Sequence, residues 1–339
     1  MTAIGFAGAG WVTTVHALAV DHAPDVRITK VASRTPEAAR ARADQAGATA
    51  VRYEDLPGDA DIVWVATPPA LHRREAERAV AGGALAAVEA PLAATLEDAD
   101  ALVELAGQGQ VAYAENLALS PAVAEAVAAC RRIGPLTHLE VRFAQGRPPG
   151  GPERTAPAWG GGAAFDLGVH ALAVAVLMAA PARVVAVEAD LDTSDDLEVD
   201  DDAALTLHFD TGLRALVRAT WRAAAPVWEA QAASPDSAVR LELVPSPSVE
   251  LNGRALTLPA APGGLLTDQL HHLGYLPQLE ALAADARTGR TPTVGPALGR
   301  LLLEIECAAY TAARTGAPEA VPFTGPRDRT PHQLWRGDG

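Results

Sequence analysis

The sequence predicts a two-domain α/β protein: an N-terminal doubly wound parallel sheet over residues 1–119, then a C-terminal α/β domain over residues 120–339 with an open, mainly antiparallel sheet. Three observations carry this. A chain of 339 residues exceeds what one hydrophobic core usually organises. Strand-like apolar runs alternate with helix-like runs through the first third, which is the pattern of parallel βαβ units. After about residue 120 the strand-like runs follow one another through short turns, and short turns join antiparallel neighbours.

The first element is the apolar run opening "AIGFAGAGWVTTVHALAV", followed by Gly8, Gly10 and Thr13 in G-x-G-x-x-[small] spacing and then by an apolar-periodic helix. Gly8 permits a tight turn, Gly10 lets backbone approach a pyrophosphate, and the small Thr13 lets helix pack on strand. The helix start at Trp11 and Val12 offers unpaired N–H groups to phosphates. This is the dinucleotide fingerprint of a Rossmann domain, and its context agrees. "VRITKVAS" is a second strand, "TPEAARARADQAG" a helix with Thr35 as N-cap and Pro36 in its first turn, and "ADIVWVATPP" a later buried strand. "LHRREAERAVAGG" and "LAAVEAP" add a helix closed by glycine and another strand. The second strand ends in Ser33 and Arg34 rather than an acidic residue, which suits a ribose 2′-phosphate and predicts NADP(H) over NAD(H). An arginine stacking on adenine is the alternative role for Arg34.

In the second domain "LTHLEVRFAQ", "RVVAVEADLD", "AALTLHFD", "LRALVRATWR", "VWEAQAAS" and "AVRLELV" read as strands, with "FDTG" a hairpin signal. "LPQLEALAADART" and "ALGRLLLEIECAAYTAART" read as closing helices. The acidic run at residues 190–202 begins like a calcium loop but has Asp195 where the turn glycine belongs, so a solvated loop is the reading.

Formal charge is −15, and Lys30 is the sole lysine, a balance that argues against nucleic acid or an anionic membrane as partner. Cys130 and Cys307 sit in apolar runs without C-x-x-C spacing, so no disulfide framework and no metal site is expected. The N-terminus lacks a signal-peptide pattern, and the longest apolar stretch, residues 171–182, is too short to span a bilayer, so a cytoplasmic location is expected.

The strongest catalytic constellation is "WGGGAAFDLGVHAL". A helix beginning near Gly162 would place Asp166 and His170 four residues apart on one face, with Gly168 keeping that face open. Such a pair can manage a substrate hydroxyl, the imidazole exchanging the proton and the carboxylate orienting it or binding a neighbouring hydroxyl. A satisfied core histidine is the competing reading. Upstream, Arg147, Arg154 and Trp159 lie in a long loop that either lines a pocket or forms a lid, and Asn116 falls where the chain enters the second domain. Glu115 reads as a surface carboxylate, or as a replacement base.

Together "GFAGAGWVTTVH", "VASRTPEAA", "ADIVWVATPPALH", "VEAPLA" and "GGGAAFDLGVH" resemble, in order and spacing, the Gfo/Idh/MocA family of sugar and cyclitol oxidoreductases over essentially the whole chain. The resemblance implies cofactor contacts from Thr67, Pro68, His72 and Glu89, substrate chemistry at Asp166 and His170, a polyol or sugar substrate, and a homodimer or homotetramer formed through the second sheet. It also implies a catalytic lysine between Glu89 and Pro91, where this chain has Ala90. Three outcomes remain open from the sequence: hydride transfer with His170 as base, NAD-assisted elimination on a glycoside, or a cofactor- or sugar-binding relative with little turnover.

Overall fold

The computed structural model describes residues 1–149, 151–261 and 263–337. They fall into two compact units, Met1–Glu115 with Tyr275–Arg300, and Asn116–Gly274 with Leu301–Gly339. The segment Tyr275–Arg300, which a single cut after residue 119 gives to the second domain, therefore packs with the first.

In the first unit the chain runs β1 (Thr2–Ala7), α1 (Trp11–Val20), β2 (Val26–Ala32), α2 (Pro36–Ala46), β3 (Thr49–Ala50), β4 (Ile62–Val65), α3 (His72–Ala81), β5 (Leu85–Glu89), α4 (Leu96–Leu105) and β6 (Val111–Ala114). The six strands form one parallel sheet in the order β3-β2-β1-β4-β5-β6. Strands covered on both faces should be apolar throughout rather than alternating, and β1, β4 and β5 are buried at every position. The order reverses beside β1, which puts the switch point and its ligand crevice at the C-terminal ends of β1 and β4.

The second unit holds α5 (Pro121–Ile133), β7 (His138–Ala144), α6 (Ala163–Asp166), α7 (Gly168–Ala179), β8 (Val184–Asp192), β9 (Asp202–Phe209), β10 (Arg214–Thr220), β11 (Val227–Ser234), β12 (Ser237–Val244), β13 (Ser248–Leu251), β14 (Arg254–Ala255) and α8 (Leu265–His272). Helix α9 (Tyr275–Thr288) belongs to the first unit; α10 (Pro296–Thr315), β15 (Glu319–Ala320) and α11 (Pro331–Arg336) follow. Nine strands form a sheet in the order β14-β13-β12-β11-β7-β10-β9-β8-β15, antiparallel except for β7 with β10. Burial alternates along β9 and β10, as expected of a sheet with one covered face. Helices α5 and α7 pack on the apolar face. The other face carries cross-strand ion pairs, Arg142 and Arg240 each 3.4 Å from Glu229. The strands read from sequence are all present; β13, β14 and β15 are additional, the last two being too short to carry a periodic signal.

Candidate functional site

The glycine turn of the first unit is built as its spacing requires. Gly8 has φ +127°, and a Cβ there would run into the Ala66 carbonyl at the end of β4, so only glycine fits. At Gly10 a Cβ would meet nothing within 4 Å: the backbone faces open space. Gly10 is also the N-cap of α1 and supplies no side-chain cap, leaving the first N–H groups of the helix at Trp11 and Val12 available to an anion. Thr13 is fully buried and donates to the Gly10 carbonyl at 2.7 Å, fixing the turn. These features fit a dinucleotide pyrophosphate.

Beyond the end of β2, Ser33, Arg34, Arg40, Arg52 and Tyr53 line a cavity of about 580 Å³. Burial, and then the charge of Glu75, push the Tyr53 hydroxyl above its ordinary range. Lys30 is turned to the Asp55 carbonyl (2.8 Å) and Asp59 (3.5 Å).

At the ends of β4 and β5 the structure assembles a buried polar group that spacing alone did not show. Glu89 Oε1 accepts from His16 Nε2 at 2.5 Å and from Trp64 Nε1 at 2.7 Å, while Oε2 accepts the Ala90 N–H at 3.3 Å. Burial raises the Glu89 pKa, but the His16 charge and the donors of His16 and Trp64 outweigh it, holding the carboxyl below its usual range. The His16 ring lies 3.9 Å from that of Trp64 and 5.7 Å from that of Tyr275, so α9 helps to hold the imidazole. His72, expected among the cofactor contacts, is 1% exposed with Nε2 2.8 Å from the Thr67 carbonyl and Nδ1 3.1 Å from the Leu92 carbonyl. Its ring thereby links the loops at Thr67 and Leu92. Thr67 is buried, Pro68 and Ala90 half-buried.

In the second unit the expected continuous helix is broken. Leu167 separates α6 from α7, and the axes of the segment Pro157–Asp166 and of α7 differ by 43°. Asp166 therefore ends one helix and His170 lies in the first turn of the next. Gly168 does not open a face, because a Cβ there would sit 3.5 Å from the Ala219 side chain. The glycine run is explained by packing: side chains at Gly161 and Gly162 would collide with Phe165, Tyr310 and Asp200. Asp200 accepts from Gly162 N (3.0 Å), Ala164 N (2.7 Å) and the Tyr310 hydroxyl (2.5 Å). Burial nevertheless pushes its pKa up to about 6. Glu306, one turn before Tyr310 on α10, is 1% exposed, and both its carboxyl oxygens lack a hydrogen-bond partner. Burial, with the charges of Asp200 and Asp166, raises its pKa well above the ordinary carboxylate value.

Asp166 is 5% exposed and forms an ion pair with Arg154, whose guanidinium lies 5.6 Å from the Trp159 ring. This gathers Arg154, Trp159 and Asp166 around one anionic centre. His170 is half-buried and stacks on Trp228 (6.4 Å, 17°), which stacks in turn on Phe143 (4.8 Å). Asn116 is turned inward, donating to the Leu273 carbonyl at 2.7 Å. Glu115 is fully buried, correcting its reading as a surface carboxylate. Arg147 pairs with Asp196, and Asp192 and Asp201 with Arg222, so the acidic run is answered by arginine; among the described residues no group of acids, histidines and cysteines is arranged to hold a metal.

Two family models match the chain. Residues 2–117 match an oxidoreductase family with an NAD-binding Rossmann fold, and residues 122–243 match the GFO/IDH/MocA C-terminal domain. The chain is 27% identical over 326 residues to D-xylose 1-dehydrogenase (NADP(+)) 2 of Haloferax volcanii, covering 93% of this chain and 97% of that one. It is 35% identical over 165 residues to dTDP-3,4-didehydro-2,6-dideoxy-alpha-D-glucose 3-reductase of Streptomyces violaceoruber, covering 46% and 47%. The aldose-aldose oxidoreductase of Caulobacter crescentus, solved with glycerol, superposes with a TM-score of 0.78 at 25% identity over 94% of this chain and 99% of that one.

Proposed function

The chain belongs to the GFO/IDH/MocA family of oxidoreductases with an NAD(P)-binding Rossmann domain, and from that premise we propose that it transfers hydride between NADP(H) and a sugar, cyclitol or related polyol. The observation that carries the reading is the glycine turn: a close-packed Gly8 followed by a Gly10 with open space before an uncapped helix start. The Haloferax volcanii relative, named as an NADP-dependent xylose dehydrogenase and matched over nearly its whole length, supports the substrate class and the cofactor.

The bound dinucleotide supplies the hydride acceptor; the protein's own residues manage everything else. Trp11 and Val12 N–H groups would hold the pyrophosphate, and Ser33 and Arg34 would address the ribose that carries a 2′-phosphate. NADP(H) is preferred because β2 runs into Ser33 and Arg34 rather than an acidic residue, with Arg40 and Arg52 beside Glu54 and Asp55 in the same cavity; NAD(H) is the alternative cofactor. Oxidation of a carbinol needs its hydroxyl proton removed as hydride leaves, and His170 takes that proton. Asp166, paired with Arg154, binds a neighbouring hydroxyl, and Trp159 offers an apolar wall to the sugar. With Glu89 saturated by His16, Trp64 and Ala90 N–H, its role is to shape the loop at Ala90 rather than to carry protons.

A second reading, a cofactor- and sugar-binding relative with little turnover, is favoured by Ala90 itself, since losing an acid/base group typically costs a factor of ~10²–10⁴ in rate. One experiment separates them. The parent protein, His170→Ala and Ala90→Lys are assayed with NADP⁺ and NAD⁺ on a panel of aldoses, cyclitols and glycosides. Reduction by the parent that disappears in folded His170→Ala supports hydride transfer with His170 as base. Tight NADPH binding with no reduction by the parent and a large gain in Ala90→Lys supports the binder. Glycoside cleavage without net cofactor reduction supports elimination.

A further inference from the structure

We propose that Arg42, on α2, is a phosphate-binding residue of the cofactor site that recognises the phosphate on the 2′ position of the adenosine ribose. The inference rests on the NADP(H) reading and goes beyond it, naming a cation that neither the end of β2 nor the glycine spacing announces. Its guanidinium crosses from α2 to α1. One terminal nitrogen donates to Thr14 Oγ1 at 2.6 Å and reaches the Gly10 carbonyl at 3.5 Å; the other donates to Gln45 Oε1 at 2.8 Å.

All three acceptors are neutral. No carboxylate pairs with Arg42 among the described residues, and its Nε is buried without a hydrogen-bond partner. Arg222, by contrast, is answered by both Asp192 and Asp201. A half-buried guanidinium loses hydration that a hydroxyl, an amide oxygen and a carbonyl only partly restore, and an anionic oxygen is the acceptor that completes it. Burial accordingly weakens its hold on its proton.

Position decides which anion. In a dinucleotide laid across the glycine turn the pyrophosphate goes to the N–H groups of α1, and the adenosine ribose lies toward the end of the neighbouring strand. That strand is β2, paired with β1, and α2 begins three residues after Ser33. Arg42 reaches back from α2 to Gly10 and Thr14, beside the glycine turn, and a ribose 2′-phosphate projecting toward α2 would meet it there. Thr35, the N-cap of α2, makes no side-chain cap, so the start of that helix also favours negative charge there.

The test is direct titration of NADPH and NADH by nicotinamide fluorescence on the parent, Arg42→Gln and Arg42→Lys, with thermal melting to establish folding. Gln removes the cation while keeping a polar side chain at that position of α2. NADPH affinity is expected to fall about 10- to 100-fold in Arg42→Gln and less in Arg42→Lys, with NADH affinity within about 2-fold of the parent. Unchanged NADPH affinity overturns the proposal, as does an equal loss for both cofactors, which would assign Arg42 to the pyrophosphate. Should the variants not fold, phenylglyoxal modification of Arg42 in the parent, mapped by mass spectrometry, decides: protection by NADPH but not NADH supports the assignment, and equal protection or none refutes it. A parent that binds neither nucleotide refutes the dinucleotide reading itself, and one that prefers NADH refutes the NADP(H) reading; both are distinct from a failure confined to Arg42.

Discussion

Replacing Asp200 with Asn tests how the second unit holds charge in its interior. Asp200 is fully buried and accepts three hydrogen bonds, yet burial carries its pKa from 3.8 up to about 6. A carboxyl whose folded pKa is raised binds its proton more tightly when folded. The native state therefore holds the extra proton between the two values, and stability falls as pH rises through that window. The rise corresponds to about 3 kcal/mol, at 1.36 kcal/mol per pKa unit. Asn cannot ionise. Unfolding free energies of the parent and Asp200→Asn, measured in urea from pH 4 to pH 7.5, should therefore converge as pH rises, the variant gaining about 3 kcal/mol on the parent whatever its deficit at pH 4. Taking the difference cancels groups that titrate alike in both proteins. A difference that stays flat would refute the argument. One that moves against the variant would show that Tyr310 and the two backbone donors outweigh burial and keep Asp200 ionised.

Gly10→Val places a side chain in open space, so folding should be nearly unaffected while dinucleotide affinity falls at least about 100-fold; fluorescence titration and a melting curve check both halves. Glu89→Ala strands His16 and the Trp64 N–H in the interior and should cost about 3 kcal/mol by urea denaturation. The Glu89 pKa is depressed, so its contribution is present above the unfolded carboxylate pKa and lost on acidification; the gap between parent and variant should shrink as pH falls below about 4, the reverse of the trend at Asp200.

Much of the first unit was legible in the sequence because a parallel sheet is written locally. Gly8, Gly10 and Thr13 sit two and three residues apart, and β1, β4 and β5 are apolar runs bounded by turn residues. The second sheet was legible through alternation in β9 and β10. The site was legible only in its residue types. Asp166 and His170 are where an i, i+4 pattern was seen, but the break at Leu167 was not read: its one local marker is Gly168, and a lone glycine does not by itself end a helix. His72 was expected at the cofactor only through the family resemblance; that its ring nitrogens lie beside the Thr67 and Leu92 carbonyls is a product of folding.

What the sequence determined by itself is the strand–helix alternation of the first third, the run of strands that follows, the glycine turn and the absence of a lysine at position 90, because each follows from residues within a few positions of one another. Only the tertiary structure decided what the polar residues do. Glu89 draws His16 from 73 residues away, Asp200 draws Tyr310 from 110, and Arg42 reaches Thr14 across 28. Whether a carboxyl in the interior is ionised, and whether a guanidinium lacks a counter-charge, depends on groups that spacing along the chain cannot bring together and packing does.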